Sequence, residues 1–266
     1  MPGLRWRLAG GPHQIARPGL EMGSYPACKS CQPVTDSTPC SHPLRTLAML
    51  PVDPATIAFL KSLPSGILCD ALGRLGMSGF TDGLYPIRSD AKMAGRARTV
   101  RFAPRRGAEK SDFNIYRFSR TLDKGDVLVI ATDGSNSWIY GENMAHEAQY
   151  HGLAGIVADC MARDGQELAG LDIPCYARGL AVRPPAFEFA AADVPVSLAG
   201  AQVYPGDVLA GDADGVVVVP GARLDEIVYQ ARDLFELESQ QEQAIRDRIP
   251  LDQLLALMGK KRIVKT

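Results

Sequence analysis

Gly141-Glu142-Asn143-Met144 opens a stretch that runs through His151 and on to Gly155-Ile156-Val157-Ala158-Asp159 and Cys160-Met161-Ala162-Arg163-Asp164-Gly165-Gln166-Glu167. Its texture reads as a helix over Gly141–His151, a strand over Ile156–Ala158, a loop and a short helix around Gln166–Ala169. A helix starting near Gly141 presents unpaired backbone N–H groups and the positive end of its dipole, which suit a carboxylate. A right-handed crossover returns the following strand to the same sheet edge, so Arg163 and Asp164 are expected to emerge beside that helix start. Aspartate offers a hard oxygen for Mg²⁺ or Mn²⁺, and Mg²⁺ keeps several waters and needs only one or two protein carboxylates. Arginine offers a forked donor for the keto and carboxylate oxygens of a 2-oxo acid, and it stays charged while an enolate develops. On spacing alone R-D-x-x-E is weak, and a surface ion pair with Glu167 one turn on outweighs the catalytic alternative.

Working outward, Asp53 is expected to cap a helix through Leu63, and Ser65 a second through Leu75 with Ile67, Leu68, Ala71, Leu72 and Leu75 at helical spacing. Strands are expected over Thr99–Ala103, Val127–Ala131 and Ile173–Ala177, and a helix over Asp112–Leu122. Val194 to Val219 reads as several short strands, followed by a long amphipathic helix over Leu224–Arg248 and a last helix over Leu251–Met258. Strands alternating with helices, then clustered short strands, imply an α/β domain with a mixed sheet layered against helices rather than a simple doubly wound sheet. Gly125-Asp126-Val127-Leu128 with Asp133-Gly134 recurs as Gly206-Asp207-Val208-Leu209 with Asp214-Gly215, which reads as shared turn chemistry.

Residues 1 to 48 have no periodic apolar face and read as a disordered N-terminal extension, so the folded domain is expected over 49–266. Cys28, Cys31, Cys40 and His42 have donor types that suit zinc, but the surrounding Pro, Gly and Ser favour the disordered tail. Cys69, Cys160 and Cys175 sit singly among apolar neighbours and read as buried thiols.

The 29 Lys and Arg balance 30 Asp and Glu, giving a formal net charge of -1, so nucleic acid is not an expected partner. The apolar runs fall well short of the roughly 20 residues that span a bilayer. The opening MPGLRWRLAGGPHQ lacks a continuous secretory segment, and a cytoplasmic location is the default expectation. No G-x-G-x-x-G joins a strand to a helix and no phosphate-binding loop motif occurs, which removes dinucleotide and nucleotide-hydrolysis readings. His146 and His151 receive no role, and Trp138 is either a residue of the pocket mouth or a structural aromatic. Arg105, Arg106 and Lys110 are read by default as a solvated loop.

From about Met49 onward the chain resembles the RraA-like family, which includes class II 4-hydroxy-4-methyl-2-oxoglutarate aldolases and regulators of ribonuclease activity. The stretches that carry the resemblance are GILCDALGRLG at 66–76, AGRARTV at 94–100, KGDVLVI at 124–130 and GENM at 141–144. GLAGIVADCMARDGQE at 152–167, DVPVSLAGAQVYPGDVLAGDADGVVVVP at 193–220 and the Glu-rich last helix complete it. The resemblance implies a swivelling β/β/α fold, a homotrimer or homohexamer, and a site between subunits. It implies that Arg163 binds pyruvate, Asp164 binds Mg²⁺, and backbone amides of Gly141, Glu142, Asn143 and Met144 hold the substrate carboxylate. Glu142 matches an acidic residue near the metal, and Glu242, with Glu238 as the alternative, matches a glutamate supplied by the neighbouring subunit. The implied activity is a metal-dependent C–C lyase releasing pyruvate from a 4-hydroxy-2-oxo acid, with oxaloacetate decarboxylation through the same enolate. The ribonuclease-regulator branch lacks the acid at the position of Glu142, so its presence favours an enzyme. Asn143 stands where the aldolases carry an apolar residue, and SNSWIY at 135–140 is unusually bulky.

Overall fold

The computed structural model describes residues 51–107 and 111–265. The expected N-terminal extension, its Cys28/Cys31/Cys40/His42 cluster and Lys110 lie outside the described residues. The helices are α1 (Pro54–Ser62), α2 (Ser65–Arg74), α3 (Ile115–Ser119), α4 (Glu142–His151), α5 (Gly165–Ala169), α6 (Leu224–Arg246) and α7 (Leu251–Lys260). The strands are β1 (Tyr85–Pro86), β2 (Met93–Pro104), β3 (Asp126–Ala131), β4 (Trp138–Tyr140), β5 (Gly155–Ala158), β6 (Met161–Ala162) and β7 (Cys175–Ala177). They continue with β8 (Gly179–Leu180), β9 (Phe187–Ala192), β10 (Val196–Leu198), β11 (Ala201–Val203), β12 (Val208–Asp212) and β13 (Gly215–Val219).

Helix starts follow the cap chemistry with one correction. Asp53 Oδ2 accepts from the Thr56 N–H at 3.3 Å and caps α1 as expected. Ser65 does not cap α2. It is the first helical residue after Pro64, and its buried N–H donates to Asp212 Oδ2 at 2.8 Å. A carboxylate from β12 thus fills the role that sequence proximity gave to the serine. Helix α3 is shorter than the expected Asp112–Leu122, because Asn114 Oδ1 accepts from the N–H groups of both Tyr116 and Arg117 and fixes the start at Ile115.

Strand β2 begins six residues before the expected Thr99, since its arginines are paired rather than solvated. Arg98 forms a two-point pair with Asp193, Nε to Oδ1 and Nη2 to Oδ2 both at 2.8 Å, and Arg96 pairs with Asp123 and Asp126. Gly95 lies against the Gly125 carbonyl, where any Cβ would overlap the oxygen. In the Gly-Asp-Val-Leu echo each aspartate accepts from the backbone N–H three residues upstream, Asp123 to Asp126 at 2.9 Å and Tyr204 to Asp207 at 2.8 Å. The echo is turn chemistry.

The main sheet runs β1-β7-β5-β3-β2-β12-β13, with β7, β5, β3 and β2 mutually parallel and the outer strands antiparallel. Long β2 pairs along one edge with β12 through Met93–Arg96 and with β9 through Val100–Pro104. The sheet nearly closes on itself: Phe80, just before β1, bridges to Val217 of β13, and the Thr81 N–H donates to the Val216 carbonyl. This is the mixed α/β sheet with a long C-terminal helix that the sequence led us to expect; strand β9 was not anticipated.

Period-two alternation of fully buried strands divides the core. Leu128 and Ile130 of β3 face a cluster with α3, α4 and α5, while Val127, Val129 and Ala131 face the interior with Val216 and Val218. Val217 and Val219 point the other way, against Leu60, Leu68, Leu72, Ile227 and Leu234 of α1, α2 and α6. Among the described residues no single helix is long and apolar enough to cross a membrane. The pair α1 and α2, apolar enough together, is bent by 107° and packs its apolar faces on the sheet.

A small parallel sheet, β4-β6-β8, stands beyond the C-terminal ends of β3, β5 and β7 and repeats their lateral order. Each main strand runs into its small counterpart through a short junction, and the junctions are tied side to side. Asp159 Oδ1 accepts from Thr132 N–H at 2.6 Å and from Thr132 Oγ1 at 2.8 Å, and Arg178 Nε donates to the Asp159 carbonyl at 2.9 Å.

Candidate active site

The small sheet delivers Gly141, Arg163 and Asp164 to one place. Chain leaving β4 enters α4 at Gly141, and chain leaving β6 provides Arg163 and Asp164, with the Arg163 N–H donating to the Tyr140 carbonyl at 3.2 Å. Gly141 is extended at φ −152 and ψ −162, so glycine is required there by space rather than by conformation. A Cβ at Gly141 would overlap Asp164 Oδ2 and lie 2.9 Å from Arg163 Cγ.

Asp164 Oδ2 accepts from the Glu142 N–H at 3.3 Å and lies 3.3 Å from Arg163 Nε. Asp164 occupies the left-handed region at φ 59 and ψ 46, which a non-glycine residue adopts at some cost and which clusters at functional sites. None of the described residues hydrogen-bonds its Oδ1. The Asn143 and Met144 N–H groups in the first turn of α4 likewise find no acceptor among the described residues, whereas the Ala145 N–H reaches the Gly141 carbonyl. Two orphan donors, a guanidinium and a half-exposed carboxylate therefore converge, which is an arrangement for an anion next to a hard cation. No cluster of three or more metal-ligating side chains occurs among the described residues, so a cation here would rest on Asp164 and solvent.

Glu142 projects from the first turn with its side chain 40% exposed, and His146 Nε2 lies 3.4 Å from Glu142 Oε1. Met144 is buried in the core, so only its backbone faces the site, and the Asn143 side chain is exposed. His151 is tied to the Leu122 carbonyl at 2.9 Å and serves structure. Within one chain Glu242 and Glu238 are not brought to the site. Both lie on α6, which packs on α2, and Glu242 pairs with Arg246 at 2.5 Å while Glu238 pairs with Lys261 at 2.6 Å. Arg105 and Arg106 are exposed. Cys160 and Cys175 are buried as expected, and burial pushes both thiols up to about 12; Cys69 is only half-buried, a correction to its expected burial.

Sequence reasoning missed two contacts. Trp138 carries the Arg163 guanidinium over its ring, 4.0 Å from the centroid, and Leu180 of β8 closes on Gly165 so tightly that a Cβ there would overlap it. The bulk of SNSWIY was visible, but its neighbour across the β4–β6 pairing was not.

Comparison with known proteins identifies the family. A protein of Halalkalibacterium halodurans named "Putative 4-hydroxy-4-methyl-2-oxoglutarate aldolase" is 28% identical over 195 residues, covering 73% of this chain and 90% of its own length. The crystal structure of Streptomyces coelicolor RraAS2, titled an unusual member of the RNase ES inhibitor RraA protein family, superposes with a TM-score of 0.66 at 30% identity. That match covers 74% of this chain and 99% of RraAS2. An uncharacterized protein from Pseudomonas syringae pv. tomato superposes with a TM-score of 0.68 at 26% identity over 77% of this chain and 98% of its own. Residues 66–218, more than half of the chain, match the RraA-like family, described as Aldolase/RraA, and the chain belongs to that family.

Proposed function

We propose that the protein is a divalent-metal-dependent C–C lyase that cleaves a 4-hydroxy-2-oxo acid, of the 4-hydroxy-4-methyl-2-oxoglutarate type, to release pyruvate. The observation that carries this reading is the convergence of Arg163, Asp164 and the orphan N–H groups of Asn143 and Met144 around Gly141. The two amides and the Arg163 fork bind the carboxylate and 2-oxo oxygens. Asp164 and solvent would hold Mg²⁺ or Mn²⁺, which supplies Lewis-acid polarisation of the 2-oxo group. Glu142, together with Glu242 of a neighbouring copy, relays the proton of the 4-hydroxyl away as the C3–C4 bond breaks, leaving the electron pair in the enolate that Arg163 stabilises. Return of a proton to C3 gives pyruvate. Loss of CO₂ from oxaloacetate passes through the same enolate, so decarboxylation belongs to this reading. Glu242, with Glu238 as alternative, would reach the site only from a neighbouring copy, so a homotrimer or homohexamer is part of the proposal and light scattering tests it.

The test is pyruvate release from 4-hydroxy-4-methyl-2-oxoglutarate and from oxaloacetate, with Mg²⁺ or EDTA, for wild type, Asp164→Ala and Arg163→Ala. Release that needs the metal and is lost in both variants is expected; a wild type that releases none from either substrate ends the reading. The similarity to RraAS2 favours a second reading, a non-catalytic ribonuclease regulator. Saturable binding to a ribonuclease E-type enzyme, unchanged by Asp164→Ala and without lyase activity, would establish it. Fold and metal site do not fix the substrate, so other hydroxy-oxo acids belong in the same assay.

A further inference from the structure

We infer that Trp138 is a positioning residue for Arg163, holding its guanidinium so that the Nη edge faces the 2-oxo acid; this rests on the lyase reading of the site. Arg163 is a long, exposed side chain with 44% of its surface accessible, and such a chain disperses over many rotamers unless something orders it. Two contacts do so. Asp164 Oδ2 occupies the Nε edge at 3.3 Å, and the Trp138 ring covers one face, 4.0 Å from the centroid. Neither Nη atom has a protein partner among the described residues, which leaves that edge and the opposite face for ligand.

The backbone that carries the indole is anchored. The Trp138 N–H donates to the Arg183 carbonyl at 3.2 Å, and Trp138 pairs with Met161 in the small sheet. Ahead of it the Ser137 N–H donates to Ser135 Oγ at 3.1 Å, and the Met161 N–H donates to the Ser137 carbonyl at 3.2 Å. Arg163 is tethered at the Tyr140 carbonyl, so its side chain runs back over a ring whose backbone is fixed in the adjacent strand. The bulky SNSWIY run thereby has a use: its serines set the turn and its tryptophan sets the arginine. The indole also displaces water from one face of the cation, which strengthens the guanidinium's attraction for an anion on its free edge.

The chain has 2 tryptophans, Trp6 and Trp138, so Trp6→Phe leaves Trp138 as the sole indole fluorophore. In that background, oxalate, a planar mimic of the pyruvate enolate, is titrated with Mg²⁺ while Trp138 emission is read and binding is measured by calorimetry. A saturable emission change is expected whose midpoint matches the calorimetric Kd, and which Arg163→Ala abolishes. In steady state Trp138→Ala is expected to raise KM about tenfold with kcat within about twofold, and Trp138→Phe to restore KM to within about threefold. Calorimetric binding to wild type with equal affinity for Trp138→Ala, or a matching emission change that survives Arg163→Ala, overturns the role of Trp138 alone. A wild type that binds neither oxalate nor pyruvate overturns the lyase reading, and this inference with it.

Discussion

Gly141→Ala adds one methyl group at a position whose extended backbone accepts alanine freely. The cost falls on the neighbours. The new Cβ overlaps Asp164 Oδ2 and sits 2.9 Å from Arg163 Cγ and 3.2 Å from Arg163 Nε, against an ordinary contact distance of at least 3.4 Å. Asp164 must therefore withdraw by about 1 Å and Arg163 by about half that, and a misplacement of about 1 Å costs on the order of 10²-fold in rate. Because both obstacles belong to partly exposed side chains, they can shift without disturbing the core. We expect kcat/KM for pyruvate release, followed through lactate dehydrogenase, to fall about 100-fold, equivalent to about 2.7 kcal/mol of transition-state stabilisation. Thermal unfolding should shift by no more than about 2 °C. A variant that folds normally and keeps kcat/KM within about threefold of wild type would refute the claim that this glycine exists to let Asp164 and Arg163 approach the start of α4.

Further outcomes follow from the core. Native protein treated with iodoacetamide near pH 8 should leave Cys160 and Cys175 unlabelled by peptide mass spectrometry, since burial suppresses both thiolates; rapid labelling of either would contradict the packing around it. Asp212→Ala strands the buried Ser65 N–H and the Asp214 N–H, so urea unfolding should show a loss of about 2 kcal/mol that Asp212→Asn recovers only in part, because the amide presents one acceptor oxygen to two N–H donors, while a loss under about 0.5 kcal/mol would show that water replaces the carboxylate. Burial pushes the Asp159 carboxyl up despite the Thr132 donors, so between the unfolded value of about 3.9 and the higher folded value the native state binds more protons than the unfolded. Stability from this group therefore falls as pH rises through that window and is level above it. Wild type measured against Asp159→Asn should lose relative stability as pH rises above about 3.9, and an opposite slope would reverse the assignment.

The sequence made the large, fully buried elements legible. Val127–Ala131 and Val216–Val219 are too apolar for anything but interior strands, and α4 and α6 have helical spacing. What it hid was whatever depends on distant partners. Arg96 and Arg98 disguise half of β2 as loop because their aspartates lie 27 to 95 residues away. Ser65 looked like a cap because Asp212, 147 residues on, could not be foreseen. At the site, adjacency alone gave Arg163 with Asp164, and crossover handedness gave their return to Gly141. Strands of two or three residues have no period to detect, so β4, β6 and β8, and with them the Trp138–Arg163 contact, were invisible.

Those three short strands have a consequence for how the protein can change. They extend the lateral order of β3, β5 and β7 upward, yet Trp138, Arg163, Asp164 and Leu180 stand outside the three hydrophobic clusters that hold the chain together. The domain thus carries the proposed chemistry on an upper storey, joined to the building below by the Thr132–Asp159–Arg178 ties and by Tyr140 and Ala162, which reach down into the first cluster. Rewriting the exposed residues of that storey leaves the foundations untouched, which suits one architecture to relatives named for cleaving an oxo acid and relatives named for restraining a ribonuclease.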